Sequence, residues 1–313
     1  MILAVLTAAL VAAIALIATT TSIPSELALF VGNPLQPLGA RVNQKSSEYY
    51  IGYRGSDFDK PWAKSFNDNV SPVDQDFIRS LERSPVPASQ GVSIRDAGEA
   101  LNQPGYLPLE DGYTFLDDGT LLLAIRSEMP PNFSGEMYDF WFSWHMNDTT
   151  KYKLWHPKQH QYAATTYRTK LWGTTSFVSE YIGATADKIS ISFFDPSLLN
   201  FTTTNPSTGV ETLVAAFAKT FRHTKRDATA MAKRGFKPWD TVLIHQVRRT
   251  PDGGGYEVRS RFWLGSWLVR RLRVVGDPEG LARDLCVHCR EEMTHLGRFL
   301  PGLFGEFGGD VST

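Results

Sequence analysis

The sequence predicts an α+β fold: an antiparallel sheet gripping one long C-terminal helix, preceded by a small N-terminal helical region. Two observations carry this expectation. The first is a pair of hairpins. Gly112 to Leu116 and Thr120 to Arg126 flank an Asp-Gly turn, and Asp240 to Arg248 and Tyr256 to Leu264 flank the Gly-rich turn Pro251 to Gly255. The second is the stretch from Asp277 to Leu300. Asp277 suits an N-cap and Pro278 the first helical position, and Leu281, Leu285, Leu296 and Phe299 fit one apolar face.

The elements follow in order. The run Ile2 to Ala18 is apolar and uncharged and precedes Thr19 to Ser22, so residues 1–22 read as a signal peptide or short anchor. Residues 23–105 read as the N-terminal helical region, with short helices over Val73 to Arg83 and Ile94 to Leu101. The main domain, 106–313, opens with the first hairpin. Tyr138 to His145 reads as a buried aromatic strand, and Lys151 to Trp155 as another short strand. Ile189 to Phe194, Thr212 to Phe221 and Trp267 to Val275 are further strand candidates.

The chain has 313 residues, of which 42% are hydrophobic, enough to build a core, and a formal net charge of -1 without a long basic run disfavours nucleic acid as a partner. Four sequons, at Asn69, Asn132, Asn147 and Asn200, support a secreted or endomembrane location and a glycoprotein. The two cysteines, Cys286 and Cys289, lie within the expected helix and read as packing residues; no second pair exists to complete a thiolate metal site.

His288 and Glu292 lie four apart, so they project from one side of the helix and can hold one divalent cation, although such a pair is more often only solvated neighbours. Two more ligands are needed. His145 and Glu180 lie in apolar surroundings where a polar group needs a partner; each also fits a plainer role, as core histidine and strand end. His156 and His160 are reserve ligands. Two histidines and two carboxylates form an N2O2 set suited to zinc. His245 lies among apolar residues, as a general acid or base or as a satisfied core histidine. Many aromatic residues fall between Tyr138 and Trp172, suiting either a flat apolar ligand or a packed core.

The blocks Met137 to His145 and Lys151 to His160 resemble the signature of the 2,4-diacetylphloroglucinol hydrolase and phloretin hydrolase family. Pro104 to Tyr113, Thr175 to Gly183, Arg259 to Gly265 and His288 to Met293 extend the resemblance over roughly residues 104 to 300. It implies a helix-grip (START-like) domain, a homodimer, zinc held by two His and two Glu, and cleavage of the bond between an acyl carbon and a phloroglucinol ring. Carried over, the ligands are His145, Glu180, His288 and Glu292; His160 lies close enough that a local gap exchanges it with His145. Tyr138, Trp141, Trp144 and Trp155 would hold the ring, with His245, Glu291 or Asp148 as proton donor. The alternatives are a polyketide cyclase, isomerase or esterase using the same pocket, and a non-catalytic binder of aromatic metabolites.

Overall fold

A computed structural model describes residues 48–166, 170–220 and 228–310. The expected leader and the first part of the N-terminal region lie outside them. Eight strands form one sheet: β1 (Gly112–Phe115), β2 (Leu121–Met129), β3 (His160–Thr165), β4 (Thr175–Ile182), β5 (Thr185–Phe193), β6 (Val210–Thr220), β7 (Thr241–Arg249) and β8 (Tyr256–Leu264). Their order is β1-β2-β8-β7-β6-β5-β4-β3, and every neighbouring pair is antiparallel. The helices are α1 (Gln75–Glu82), α2 (Ala97–Ala100), α3 (Gly135–Trp144), α4 (Thr149–Trp155), α5 (Ala228–Lys233), α6 (Ser266–Val275) and α7 (Pro278–Phe307). Among the described residues no helix is long and apolar enough to cross a membrane.

Period-two alternation divides the sheet between two cores. On β2, Leu121, Leu123 and Ile125 pack with α3, α4 and α7, while Leu122 and Ala124 pack on the other face with Ile94, Ala97 and Leu101. Phe77 and Leu81 of α1 join the first cluster, so the N-terminal region packs on both faces of the sheet, α1 on the α7 side and α2 on the other.

The long helix begins as expected, with Asp277 accepting from the Glu279 N–H. Its buried stripe differs from the expected one. Ala282, Cys286, Cys289, Met293, Leu296 and Leu300 are fully buried, whereas Leu281, Leu285 and Phe299 flank them, half-buried. Both cysteines are thus packing residues. Gly297 lets the end of β2 approach: a Cβ there would lie 3.0 Å from Pro130 Cδ and 3.1 Å from Met129 Sδ.

Three expected strands are helices. Tyr138 to His145 is α3, capped by Ser134, which accepts from Met137 N. Its spacing of Tyr138, Trp141, Phe142 and His145 is helical, and packing overrides the strand preference of aromatic residues. Lys151 to Trp155 belongs to α4, which Asp148 caps. Trp267 to Val275 belongs to α6, whose first N–H groups turn back toward the β7 entry: Trp267 N donates to Pro238 O at 2.8 Å. The hairpins and the strands around Ile189 and Thr212 are as read.

On the face away from α7, β8 carries two fully buried guanidiniums. Arg259 Nη2 lies 2.5 Å from Glu110 Oε1, and Arg261 pairs with the same carboxylate. Burial pushes Glu110 up, but Arg261 and Arg259 outweigh this and hold it at about 2. Because the folded value lies below the ordinary 4.5, the stabilisation is complete above about pH 4.5 and is lost as pH falls through about 2. Glu110→Gln is expected to cost about 3 kcal/mol at neutral pH and to flatten the acid limb of stability in urea titrations.

Candidate metal centre

The centre forms where α7 crosses the β3–β4 edge of the sheet. His160 begins β3 and pairs directly across the ladder with Glu180 of β4. His288 and Glu292, one turn apart on α7, complete the group. All four are buried. One ligand atom from each of His160, Glu180 and His288 lies within 4.8 Å of the other two, a group able to hold a metal ion. Glu292 Oε2 is 3.4 Å from both imidazole Nε2 atoms, and Glu180 Oε2 is 3.6 Å from His160 Nε2 and 3.9 Å from His288 Nε2. Donor atoms set 2.0–2.1 Å from a tetrahedral ion lie about 3.3 Å apart, close to these spacings.

The hydrogen bonds around the ligands point the same way. His160 Nδ1 contacts the Tyr152 carbonyl at 2.9 Å, and His288 Nδ1 contacts the Gln159 side-chain carbonyl. With each Nδ1 turned to an oxygen, Nε2 is the ring nitrogen that each histidine directs at the carboxylates and leaves available to a cation between them. His160 Nε2 is buried and has no hydrogen-bond partner. The Tyr152 ring stacks on His160, with centroids 3.9 Å apart, and its hydroxyl donates to Glu180. Tyr152 therefore holds two of the four groups.

Burial pushes Glu292 up, but His288 and His160 outweigh it and hold the carboxyl well below its usual range. Burial pushes His288 down, and Glu292, Glu180 and Glu291 reverse this to hold it at about 9. Two buried carboxylates thus demand positive charge, and a divalent ion satisfies them with both imidazoles neutral.

His145, expected as a ligand, is not in this group. It ends α3, its Nδ1 lies 2.6 Å from the Trp141 carbonyl, and its ring stacks on Trp141 at 4.6 Å. Burial pushes it down to about 3. The reserve residue His160 stands in its place, because the turn at His156 and the β3 start bring it to Glu180.

The expected proton donors are separated. Asp148 is occupied: Oδ1 accepts from Thr150 N and Lys151 N, and Oδ2 meets Lys60 Nζ at 3.0 Å. Glu291 turns outward, pairs with His156 Nε2 at 3.2 Å, and lines a 440 Å³ surface cavity with Gln159 and Lys158. His245 alone faces the α7 side of the sheet. Its neighbours Leu243 and Val247 share that core, and its Nδ1 lies 2.7 Å from Ser260 Oγ. Burial pushes His245 down to about 4, with Glu292 opposing.

Of the expected ring-binding residues, Tyr138 lies 6.4 Å from His245 and Trp155 lies 5.4 Å from His145, with its buried Nε1–H unpaired. Trp141, on α3, meets Trp155 of α4 at 5.7 Å and Phe299 of α7 at 5.4 Å. Trp144 points elsewhere, against Trp62 and Phe307 with Lys151 over its ring. Tyr152 and Gln159 escaped the sequence reading; both flank His160 within the block Lys151 to His160, where a search for partners of the ligand nitrogens would have found them.

The fold and site together define a helix-grip protein with a buried histidine–carboxylate centre able to hold a metal ion. The chain belongs to the family described as the DAPG hydrolase PhiG domain, which matches residues 92–305. It is 25% identical to the 2,4-diacetylphloroglucinol hydrolase of Pseudomonas protegens over 281 residues, covering 80% of this chain and 85% of that protein. It is 24% identical to the phloretin hydrolase of Eubacterium ramulus over 295 residues, covering 88% of this chain and 96% of that protein. Among solved structures, the ginseng major latex-like protein 151 from Panax ginseng covers 56% of this chain and 98% of its own, at 14% identity and a TM-score of 0.35.

His160→Ala is expected to abolish metal binding, whereas His145→Ala retains the full metal content, as measured by elemental analysis of purified protein. Gln159→Leu should weaken metal binding about 10- to 100-fold in competition with a chelating dye, because His288 loses the acceptor that fixes its tautomer.

Proposed function

We propose that this protein is a zinc-dependent hydrolase that cleaves the carbon–carbon bond between an acyl group and a phloroglucinol-type ring. The observation that carries this reading is the buried group of His160, Glu180 and His288, with Glu292 Oε2 3.4 Å from both imidazoles and both Nδ1 atoms already bonded. The donor set of imidazole and carboxylate suits zinc. Family membership supports the substrate class, since its relatives include enzymes named for 2,4-diacetylphloroglucinol and phloretin.

When bound, the ion supplies Lewis-acid polarisation of the acyl carbonyl and acidifies a water beside it. The chain's residues do the rest. Tyr138 packs edge-on to His245, Trp141 stacks on His145 and Trp155 meets His145 edge-on, so a ring bound beside His245 would be held among these aromatic residues. His245, neutral at physiological pH, acts first as a base at Nε2, with Nδ1 fixed on Ser260. It takes a proton as water adds to the acyl carbon. The acyl–ring bond then breaks, its electron pair goes to the ring carbon of the keto tautomer, and the imidazolium returns the proton to that carbon. One water is consumed, and one carboxylic acid and one deacylated phenol result.

We also propose that the chain enters a secretory route. Asn69, Asn132, Asn147 and Asn200 are all exposed, which supports glycosylation at these sequons. A mobility shift on endoglycosidase treatment of protein from a eukaryotic host is the expected outcome.

With an acylphloroglucinol in oxygen-labelled water, the label is expected in the released carboxylic acid. Release of no acid from any acylphenol would remove the hydrolase reading. His245→Ala should keep its zinc and lose turnover by about 10²- to 10⁴-fold. Full activity in that variant would exclude His245 as the proton carrier.

A further inference from the structure

His160, Glu180, His288 and Glu292 are all buried, so an ion can reach them only through the protein wall. The 440 Å³ surface cavity beside α7 comes within one side chain of them. Gln159 lines that cavity, and its side-chain carbonyl meets His288 Nδ1. His156 lines it as well and stacks on His288, with ring centroids 5.5 Å apart and planes 8° from parallel. The His156 ring also lies 5.8 Å from that of His160. A single layer of side chains therefore stands between the cavity and both histidines of the centre.

That layer carries ligand groups of its own. His156 Nε2 lies 3.2 Å from Glu291 Oε2, close to the spacing of about 3.3 Å between donors that share one ion. His156 is 2% exposed, and its Nδ1 is buried without a hydrogen-bond partner, so the ring is held at Nε2 alone. Glu291 lines the cavity and is half-buried, three residues after His288 on α7. Asp284 lies four residues before His288 on the same helix; it is exposed and packs on Gly183, which also lines the cavity. Asp284, Glu291 and His156 thus make a line of cation-binding groups from solvent to His288. Lys158, exposed on the same lining, opposes a cation there.

We propose that this cavity is the port through which a divalent cation enters and leaves the centre, with His156 and Glu291 as an outer pair that holds the ion on its way. The proposal rests on reading His160, Glu180, His288 and Glu292 as metal ligands. An ion that sheds water before reaching a buried site needs replacement donors, because a bare charge in a dry interior costs several kcal/mol. The imidazole and carboxylate at the cavity wall supply them one layer short of His288. Such a pair lowers the barrier in both directions and leaves the affinity of the inner site as it is. Lys158 would set the opposing charge at the mouth and slow the approach of the ion.

The test uses the full chain, stripped of metal by a chelator and mixed rapidly with Zn2+ in the presence of a zinc-sensitive dye. Release is followed separately, by transfer of zinc from the loaded protein to excess chelator. Glu291→Gln is expected to slow loading and release together by about ten-fold, with the dissociation constant unchanged. Lys158→Glu is expected to speed loading by a similar factor at low salt, an effect that added salt removes. Opposite effects from two substitutions at the protein surface are not the mark of a damaged fold. Unchanged rates in both variants overturn the proposal and leave the centre standing. Faster release from Glu291→Gln, with affinity falling to match, overturns it too, since the carboxylate then acts on the bound ion by charge alone. Parent protein that takes up no zinc removes the centre itself, and the port with it.

Discussion

Two carboxylates cannot stay buried beside each other without positive charge, and much of this fold is arranged around that constraint. Glu180 and Glu292 come from a strand and a helix that meet only in the folded state, and His160 and His288 stand between their oxygens. Charge of one sign gathered in a dry interior costs several kcal/mol per ion unless it is offset. A divalent ion held there would offset it, and would couple metal binding to the docking of α7 on the sheet.

The sheet supplies the rigidity this needs. His160 and Glu180 are a cross-strand pair, so the ladder fixes their separation. Opposite them, α7 is held by a stripe of buried residues from Ala282 to Leu300 that runs beside the row His288, Glu292 and His295. The same helix thus packs with one row and brings His288 and Glu292 to the buried cluster with the next. Tyr152 links the systems through its ring, carbonyl and hydroxyl, and Gln159 holds His288 through its side-chain carbonyl. His245 stands apart on β7, with its Nδ1 on the Ser260 hydroxyl.

The C-terminal helix, both hairpins and three of the four side chains gathered in the buried cluster are legible in the sequence. A cap, an i,i+4 pair and an Asp-Gly turn are local signals. What was missed depends on distance along the chain. The stretch Tyr138 to His145 has the residues of a strand and the spacing of a helix, and the space beside α7 decides between them. His145 and His160 look equivalent as residue types. Only the pairing of β3 with β4 separates them, placing His160 opposite Glu180 and leaving His145 against Trp141. Asp148 looked like a free acid because nothing nearby announced Lys60, which reaches it from 88 residues away.

X-ray absorption at the zinc edge of the loaded protein tests the central claim most directly. Two imidazole nitrogens and two carboxylate oxygens imply a first shell of light atoms at about 2.0–2.2 Å. That shell, with imidazole scattering beyond it, is the expected result. A sulfur shell near 2.3 Å would place the ion on Cys286 or Cys289 and contradict the assignment, as would a shell of water oxygens alone.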